Sequence, residues 1–177
     1  MGTERLSDQL CPVARAIAVV GDTWTLMMLR EFFLGARRFE DIRVQTGMSP
    51  QLLSGRLKSL VAAGVLRRVP YSERPIRYEF RLTDMGRGLW PVIIALKQWG
   101  DQHLTPDQAK PLIRLVHKDC RHDVEPALAC PHCGQAATAT RVTAEMSPAM
   151  TADRSRRGRA NSQVVARARR RLSAAGP

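Results

Sequence analysis

Large apolar side chains in this 177-residue chain are concentrated between Cys11 and Leu104, so the hydrophobic core is expected to form there. That stretch is long enough for one small domain. From Thr143 to the end the chain consists mainly of Ala, Arg, Ser and Gly, with almost no large apolar residue. Such a composition cannot bury enough surface to offset its ordering entropy, and we therefore expect residues 143–177 to be disordered.

Helix caps and helix breakers divide the apolar stretch into a series of elements. The predicted helix starts are Cys11-Pro12, Thr23, Phe39, Ser49-Pro50 and Thr83. The runs VLRRVPY and RYEFRL have strand composition, and the turn sequence SERPI separates them. Pro91 should kink the last helix or mark its effective start. The order helix, helix, short helix, helix, strand, strand, helix predicts a winged helix-turn-helix, a mostly α fold with a small β-hairpin (α+β).

The helix that begins at Ser49-Pro50 has two distinct faces on a helical wheel. Leu53, Leu57 and Leu60 fall together and form an inward face. The opposite face is small and polar with one cation, and consists of Gln51, Ser54, Gly55 and Lys58. Such a face suits a helix that enters the major groove of DNA, although an ordinary solvated face has the same composition.

The hairpin that follows favours the DNA interpretation. Between Arg56 and Arg81 there are seven cations and two acids, and Arg67, Arg68, Arg74 and Arg77 lie on the hairpin itself. A basic hairpin directly after a small polar helix is what contact with the DNA backbone and minor groove requires. The predicted DNA-binding residues are Ser49, Gln51, Ser54, Gly55, Arg56, Lys58, Arg74 and Arg77.

Three runs carry a resemblance to a known family. They are CPVARAIAVVGDTWTLMMLREFFLGARRFEDI, MSPQLLSGRLKSLVAAGVLRR and YSERPIRYEFRLTDMGRGLWPVIIALKQWGD. From about Cys11 to Leu104 the chain resembles the HxlR family of bacterial transcriptional regulators. The motifs that carry the resemblance stand in order and are GD-WT, the RRF-ED step, the RL-L–AG-L helix and the ERP–YE–LT–G wing. The resemblance implies a homodimer that binds a palindromic operator in double-stranded DNA and represses or activates a neighbouring gene, with repression expected here. It also implies a dimer interface built from the first and last helices of the domain.

The charge of the chain agrees with a polyanionic partner. Its net charge is +12, and the segment from Arg141 onward contributes +7 of this through nine Arg and two acids. The alternative to a DNA-binding regulator is a zinc-containing protein associated with RNA or the ribosome, in which the Arg-rich tail and the cysteine cluster would be functional. We expect no enzyme, because no catalytic set stands out, and no membrane span or secretory signal, which predicts a cytoplasmic protein.

Cys11 is a candidate sensor of oxidants or electrophiles. A thiol that directly precedes Pro12 at a helix start faces unpaired N–H groups and the positive end of the helix dipole, which favours the reactive thiolate. The HxlR resemblance adds that several relatives sense oxidants or electrophiles through a cysteine at this position. The alternative is a small, buried and inert cysteine. Whether the effector is an oxidant or a small molecule stays open.

A second group of cysteines and histidines has metal-ligand spacing. His117-x2-Cys120 and Cys130-x2-Cys133 form two pairs within LVHKDCRHDVEPALACPHCG, and His122 and His132 are spare candidates for the fourth ligand. Four such ligands suit a tetrahedral structural zinc. The alternatives are an empty site, packing cysteines, or a redox pair at CPHC, for which the segment lacks the surrounding α/β domain. The predicted organisation is therefore a DNA-binding and dimerisation domain at 1–104, a zinc-ribbon-like segment at 105–142 and a disordered basic tail at 143–177.

Overall fold

The computed structural model describes residues 4–104, 113–124, 127–159 and 162. Its elements are α1 Glu4–Ser7, α2 Pro12–Val20, α3 Thr23–Phe33, α4 Phe39–Thr46, α5 Pro50–Ala62, β1 Leu66–Glu73, β2 Ile76–Leu82, α6 Asp84–Arg87, α7 Trp90–His103 and α8 at residues 148–159. The helices with one antiparallel hairpin agree with the expected winged helix-turn-helix. Helix α1 was not predicted.

The described residues fall into two compact units. One lies within Val19–Ala137, and the other combines described residues of Met1–Ala18 and Thr138–Pro177. The residues described between 113 and 137 thus group with the winged helix, whereas the sequence prediction placed them in a segment of their own.

Side-chain caps begin helices α3 and α5 of the winged-helix unit. Asp22 accepts the Thr25 N–H at 3.1 Å at the start of α3, and Ser49 accepts the Leu52 N–H at 3.3 Å at the start of α5. Gly47 ends α4 in the left-handed region at φ 71°, which a residue without Cβ adopts at no steric cost. The turn between α4 and α5 is therefore set by local residues.

The core of this unit lies where α3, α4, α5 and the base of the hairpin meet. Its members are at most 8% exposed and are Val20, Met28, Leu29, Phe32, Ile42, Met48, Leu53, Leu57, Leu60, Val65, Leu66 and Leu82. Because α5 contributes three leucines to this cluster, its inward face is fixed and its outward face is presented to solvent.

The hairpin, called the wing below, is longer than the sequence predicts. Strands β1 and β2 extend into SERPI and leave only Arg74 and Pro75 between them, with a register irregularity between Pro70 and Ser72. The base of the wing is tied down by the Phe80 N–H, which donates to the Arg37 carbonyl at 2.8 Å. The rest of the wing extends from this anchor.

The predicted last helix is two helices. Helix α6 ends at Arg87 and α7 begins at Trp90, which places Pro91 in its first turn, where a proline is accommodated. The expectation that Pro91 marks an effective start is confirmed. No single helix in the described part of the chain is long and apolar enough to cross a bilayer, although α2 and α3 would qualify if counted together as one broken segment.

The disorder expected from Thr143 onward is not confirmed for the part that the structure describes. Helix α8 has a Ser-Pro start like that of α5: the Ser147 side chain accepts the Met150 N–H at 3.2 Å. Asp153, which is 2% exposed, forms ion pairs with Arg156 and, at 2.7 Å, with Arg157. Local capping and these i,i+3 and i,i+4 pairs favour a helix despite the lack of large apolar residues. The tail from 160 onward lies outside the described residues apart from Ser162.

Candidate nucleic-acid interface

Helix α5 buries one face and leaves a small polar face in solvent. Leu53, Leu57 and Leu60 are at most 2% exposed, as the wheel predicts. The exposed residues of the outer face are Gln51, Gly55 and Lys58. A Cβ built on Gly55 would meet no atom within 4 Å, so the backbone can be approached closely at this point. Ser49 is also exposed, although its side chain caps the helix, and Ser54 is half-buried.

An open groove of about 370 Å³ runs between α5 and the wing. It brings Ser54 and Lys58 of α5 close to Arg68 of β1, with Phe39 and Phe80 among its apolar walls. Two cations from separate elements therefore lie along one concave surface. Arg68 was not among the predicted DNA-binding residues.

Arg74 and Arg77 lie where the sequence places them, at the exposed end of the wing. Within the described residues, neither side chain has an acidic partner. Their charge is thus available to an external anion, unlike that of Arg81, which pairs with Glu79 at 2.5 Å.

Two arginine–tyrosine contacts shape the wing. The Arg68 guanidinium lies 4.0 Å from the ring centre of Tyr78, and the Arg38 guanidinium lies 4.6 Å from that of Tyr71. Arg38 directly precedes α4, so the second contact joins the helix-turn-helix to the wing. Arg38 was not among the predicted DNA-binding residues, although the basic pair in the RRF step indicates a surface cation here.

Arg56, predicted to bind DNA, forms an ion pair within the chain. Its Nη2 donates to Asp22 Oδ2 at 2.8 Å, and the two side chains are 37% and 31% exposed. Asp22 is also the N-cap of α3, so this ion pair joins α5 to the start of α3. The guanidinium thus has an acidic partner 34 residues away in the chain, which a helical wheel could not show.

Helix α4 carries a locally balanced ion pair. Arg43 donates from Nε and Nη2 to Glu40 at 3.0 and 2.5 Å. The hydrogen bond and charge of Arg43 lower the pKa of the Glu40 carboxyl, and Glu40 in turn raises the pKa of Arg43. The Arg43 and Glu40 side chains are 39% and 63% exposed, so the pair is screened by solvent and adds little stability. The positive potential of this side of the molecule therefore comes mainly from α5 and the wing.

Comparison with known proteins assigns this arrangement to a family. Residues 19–108 match the family model described as HxlR-like helix-turn-helix. The chain is 46% identical over 140 residues to Rv3095 of Mycobacterium tuberculosis, an uncharacterised HTH-type transcriptional regulator, covering 79% of this chain and 88% of that protein. This chain belongs to the HxlR-like helix-turn-helix family.

Two further proteins illustrate the range of the HxlR-like similarity. YdeP of Bacillus subtilis, another uncharacterised HTH-type transcriptional regulator, is 31% identical over 106 residues, which cover 58% of this chain and 83% of YdeP. The crystal structure of PA1607, described as a candidate transcription factor, aligns with a TM-score of 0.70 at 32% identity and covers 81% of this chain and 99% of that one. The chain is thus a transcriptional regulator of the winged helix-turn-helix type, a class that binds DNA. The comparisons indicate no enzymatic activity, and they favour the regulator over the RNA-associated alternative.

Cys11 precedes the first complete turn of α2 in this HxlR-like protein. The residue is half-buried, and its carbonyl accepts the Arg15 N–H at 3.1 Å. Its thiol is free, as are those of Cys120, Cys130 and Cys133. The predicted sensor is therefore reachable by a small oxidant, and its function is a proposal considered below.

The predicted zinc ligands lie in two turns outside the region that matches the family. The Cys120 sulfur lies 3.3 Å from His117 Nδ1. In the second turn, the backbone N–H groups of Cys133 and His132 and the Cys133 thiol hydrogen-bond to Cys130 and lower the pKa of its thiol. Among the residues that the structure describes, no three His, Cys, Asp or Glu side chains are close enough together to hold a metal ion. The structure thus forms each ligand pair and does not bring the two pairs together.

Proposed function

We propose that this chain is a homodimeric repressor that binds a palindromic operator, with α5 in the major groove and the wing on the backbone or minor groove. The observation that carries the proposal is the outer face of α5, which is small, polar and exposed, beside a wing whose end carries two unpaired arginines. A major groove about 12 Å wide admits a helix of this kind.

Direct reading of bases is assigned to α5. Gln51 and Lys58 are exposed on its outer face, and both side chains can donate hydrogen bonds to base edges, Gln preferring adenine and Lys preferring guanine. Ser49, Ser54 and Gly55 are assigned to the same contact surface, where small residues permit close approach. Arg56 is assigned the ion pair with Asp22 instead of a DNA contact.

Contact with phosphates is assigned to the wing. Arg74 and Arg77 provide charge at its end, and Arg68 lines the groove beside Lys58. Phosphate contacts fix the register of a protein on DNA without reading sequence. Loss of a wing arginine should therefore weaken all duplexes about equally.

Homodimerisation is supported by apolar side chains left in solvent. On α7 the exposed members are Trp90, Val92, Leu96 and Trp99, which are 36–55% exposed, and on α2 they are Val13, Ile17 and Val19, at 37–64%. Large apolar surfaces of this kind mark association sites. A two-fold dimer presents two α5 helices, so its operator should be an inverted repeat.

The proposed DNA contacts can be tested with duplexes that the parent protein enriches from a random library. Gln51→Ala should lose about 1–3 kcal/mol of preference for the enriched duplex over a scrambled one. Arg74→Ala should weaken both duplexes equally and reduce the salt dependence of binding by about one ion per chain. Arg141→Ala, which removes the same charge from an exposed site outside the winged helix, is the matched control. If both test variants bind as this control does, the proposed docking is wrong.

We further propose that oxidation of Cys11 regulates this binding. The support is the free, half-buried thiol at the start of α2, a helix that also carries exposed apolar residues. Peroxide or a quinone should release the parent protein from the enriched duplex, and Cys11→Ser should stay bound, as measured by fluorescence anisotropy. Equal release of the Cys11→Ser variant would assign the response to a group other than Cys11.

A further inference from the structure

The two turns that carry His117-x2-Cys120 and Cys130-x2-Cys133 have the same backbone construction. Each of four backbone interactions in the first turn recurs thirteen residues later in the second. In the first turn, the N–H of His117 donates to the His122 carbonyl (2.9 Å), that of Arg121 to the His117 carbonyl (2.9 Å) and that of Val124 to the Leu115 carbonyl (2.7 Å). The fourth interaction is the β-bridge between Val116 and Asp123. In the second turn, the N–H of Cys130 donates to the Gln135 carbonyl (2.9 Å), that of Gly134 to the Cys130 carbonyl (2.8 Å) and that of Ala137 to the Leu128 carbonyl (2.9 Å). The matching β-bridge joins Ala129 and Ala136.

In both turns, the residue that follows the last cysteine has a left-handed backbone. Gly134 has φ 71°, and Arg121 has φ 62°. Arg121 is the one residue other than glycine with positive φ in the described part of the chain. This backbone costs an ordinary residue about 1–2 kcal/mol, so the first turn keeps the geometry of the second even where its sequence does not favour it.

The first turn also places its two side chains at the separation that a shared metal requires. Zinc binds sulfur at about 2.3 Å and nitrogen at about 2.0 Å, and a tetrahedral angle then puts the two ligand atoms about 3.5 Å apart. The observed separation of Cys120 Sγ and His117 Nδ1 is 3.3 Å.

Apolar packing does not account for these turns. All the residues from His117 to Arg121 are exposed, and Leu128 is 80% exposed. A segment this small and this exposed needs a cross-link or a metal to hold a defined shape. A disulfide between Cys130 and Cys133 would use one turn and leave the construction of the other without a role.

We propose that His117, Cys120, Cys130 and Cys133 bind one structural zinc ion per chain and that the ion draws the two turns together. Each turn supplies a preformed pair of ligands, and the ion supplies the contact between them that the described residues lack. Nδ1 of His117 is the ligating nitrogen, because it is the ring atom beside the Cys120 sulfur. The proposed zinc site does not depend on the proposed operator binding, so a failure of either proposal leaves the other in place.

The zinc site has a consequence for the neighbouring helices. Ile113 and Leu115, just before the first turn, line an apolar groove of about 230 Å³ with residues of α3 and α7, among them Phe33 and Ile93. Holding the first turn in place therefore also holds these two side chains over the groove. Removal of the ion should expose it.

Elemental analysis of the full chain purified without added metal tests the proposal. About one zinc per chain is expected, and cobalt substitution should give the absorption of a tetrahedral thiolate site. Cys120→Ser and Cys130→Ser should each lose most of the zinc. Cys11→Ser and His122→Gln, which change residues of the same types outside the proposed set, should retain it.

Hydrogen exchange gives a second readout that does not depend on the variants folding. Chelation should increase exchange between 113 and 137 while α3 and α5 keep their protection, and a dye that binds apolar surface should brighten as the groove opens. Less than about a tenth of a zinc per chain with all thiols reactive would overturn the proposal. A Cys130–Cys133 disulfide in the purified protein, or zinc retained by both Cys120→Ser and Cys130→Ser, would overturn it equally.

Discussion

Gly86 shows how a single residue fixes the position of the wing. A Cβ at this position would lie 2.2 Å from the Val65 carbonyl oxygen and 3.0 Å from Leu82, so only glycine allows α6 to pack against the residue that precedes β1 and the end of β2. Gly55 is the opposite case, because nothing lies within 4 Å of its added Cβ. The two glycines therefore predict opposite effects of the same substitution.

Gly86→Ala should destabilise the winged-helix unit by about 1–3 kcal/mol, because the carbonyl is backbone and cannot move aside. Gly55→Ala should stabilise it by about 0.5–1 kcal/mol, because alanine favours an exposed helix interior. Urea denaturation followed by circular dichroism measures both. An unchanged midpoint for Gly86→Ala would show that α6 shifts without cost.

The side-chain periodicity of α5 could be read from the sequence, and the ion pair of Arg56 could not. Leucines repeat at helical spacing because one face meets a core, so burial follows from local order. Arg56 reaches Asp22 only because α5 crosses the start of α3, which is a tertiary relation. The same holds for Arg38 and Tyr71, which come from different elements.

At the scale of elements, the Ser-Pro signature has general value. It predicted the start of α5 at Ser49 and Pro50, and the same pair, Ser147 and Pro148, begins α8. The composition around Ser147 is typical of disorder, but its capping residues favour a helix. The break between α6 and α7 was anticipated only through Pro91, since the glycines of that stretch do not by themselves fix a helix boundary.

Helix α5 supplies a prediction in which stability and binding change in opposite directions. Gly55→Ala adds a methyl group to the face proposed to enter the major groove, so binding to the enriched duplex should weaken by roughly tenfold while the protein becomes more stable. Anisotropy titration beside the denaturation curve measures this. Stronger or unchanged binding would place the outer face of α5 away from the DNA.

Helix α7 supplies the prediction for association. Trp99 is 55% exposed, and Trp99→Asp should give a monomer by sedimentation because a buried, unpaired carboxylate disfavours the interface. Ile93 is a poorer probe, because it packs against the core and lines the groove of α3 and α7. Met85→Asp, which changes a side chain 59% exposed on α6, is the control and should remain a dimer. A dimeric Trp99→Asp protein would exclude α7 from the interface.

At the scale of the whole molecule, the basic end of the chain should add affinity without adding specificity. Residues 160–177 contain four Arg and no acid. Their deletion leaves residues 148–159 of α8 in place and should lower the slope of log affinity against log salt by at most about 3.6 for each chain bound, since each phosphate contact contributes about 0.9. The ratio of enriched-duplex to scrambled-duplex affinity should not change. A fall in that ratio would mean that this segment reads sequence.

The symmetry of the DNA sequence that the intact protein enriches from a random duplex library is the most direct test of the central claim. A homodimer with one α5 per half-site should enrich an inverted repeat whose halves are centred about 34 Å apart, or a multiple of that distance, along the duplex. Enrichment should weaken with Gln51→Ala and persist unchanged with Arg141→Ala. An asymmetric motif, a single half-site bound as tightly as the repeat, or no enrichment at all would contradict this account.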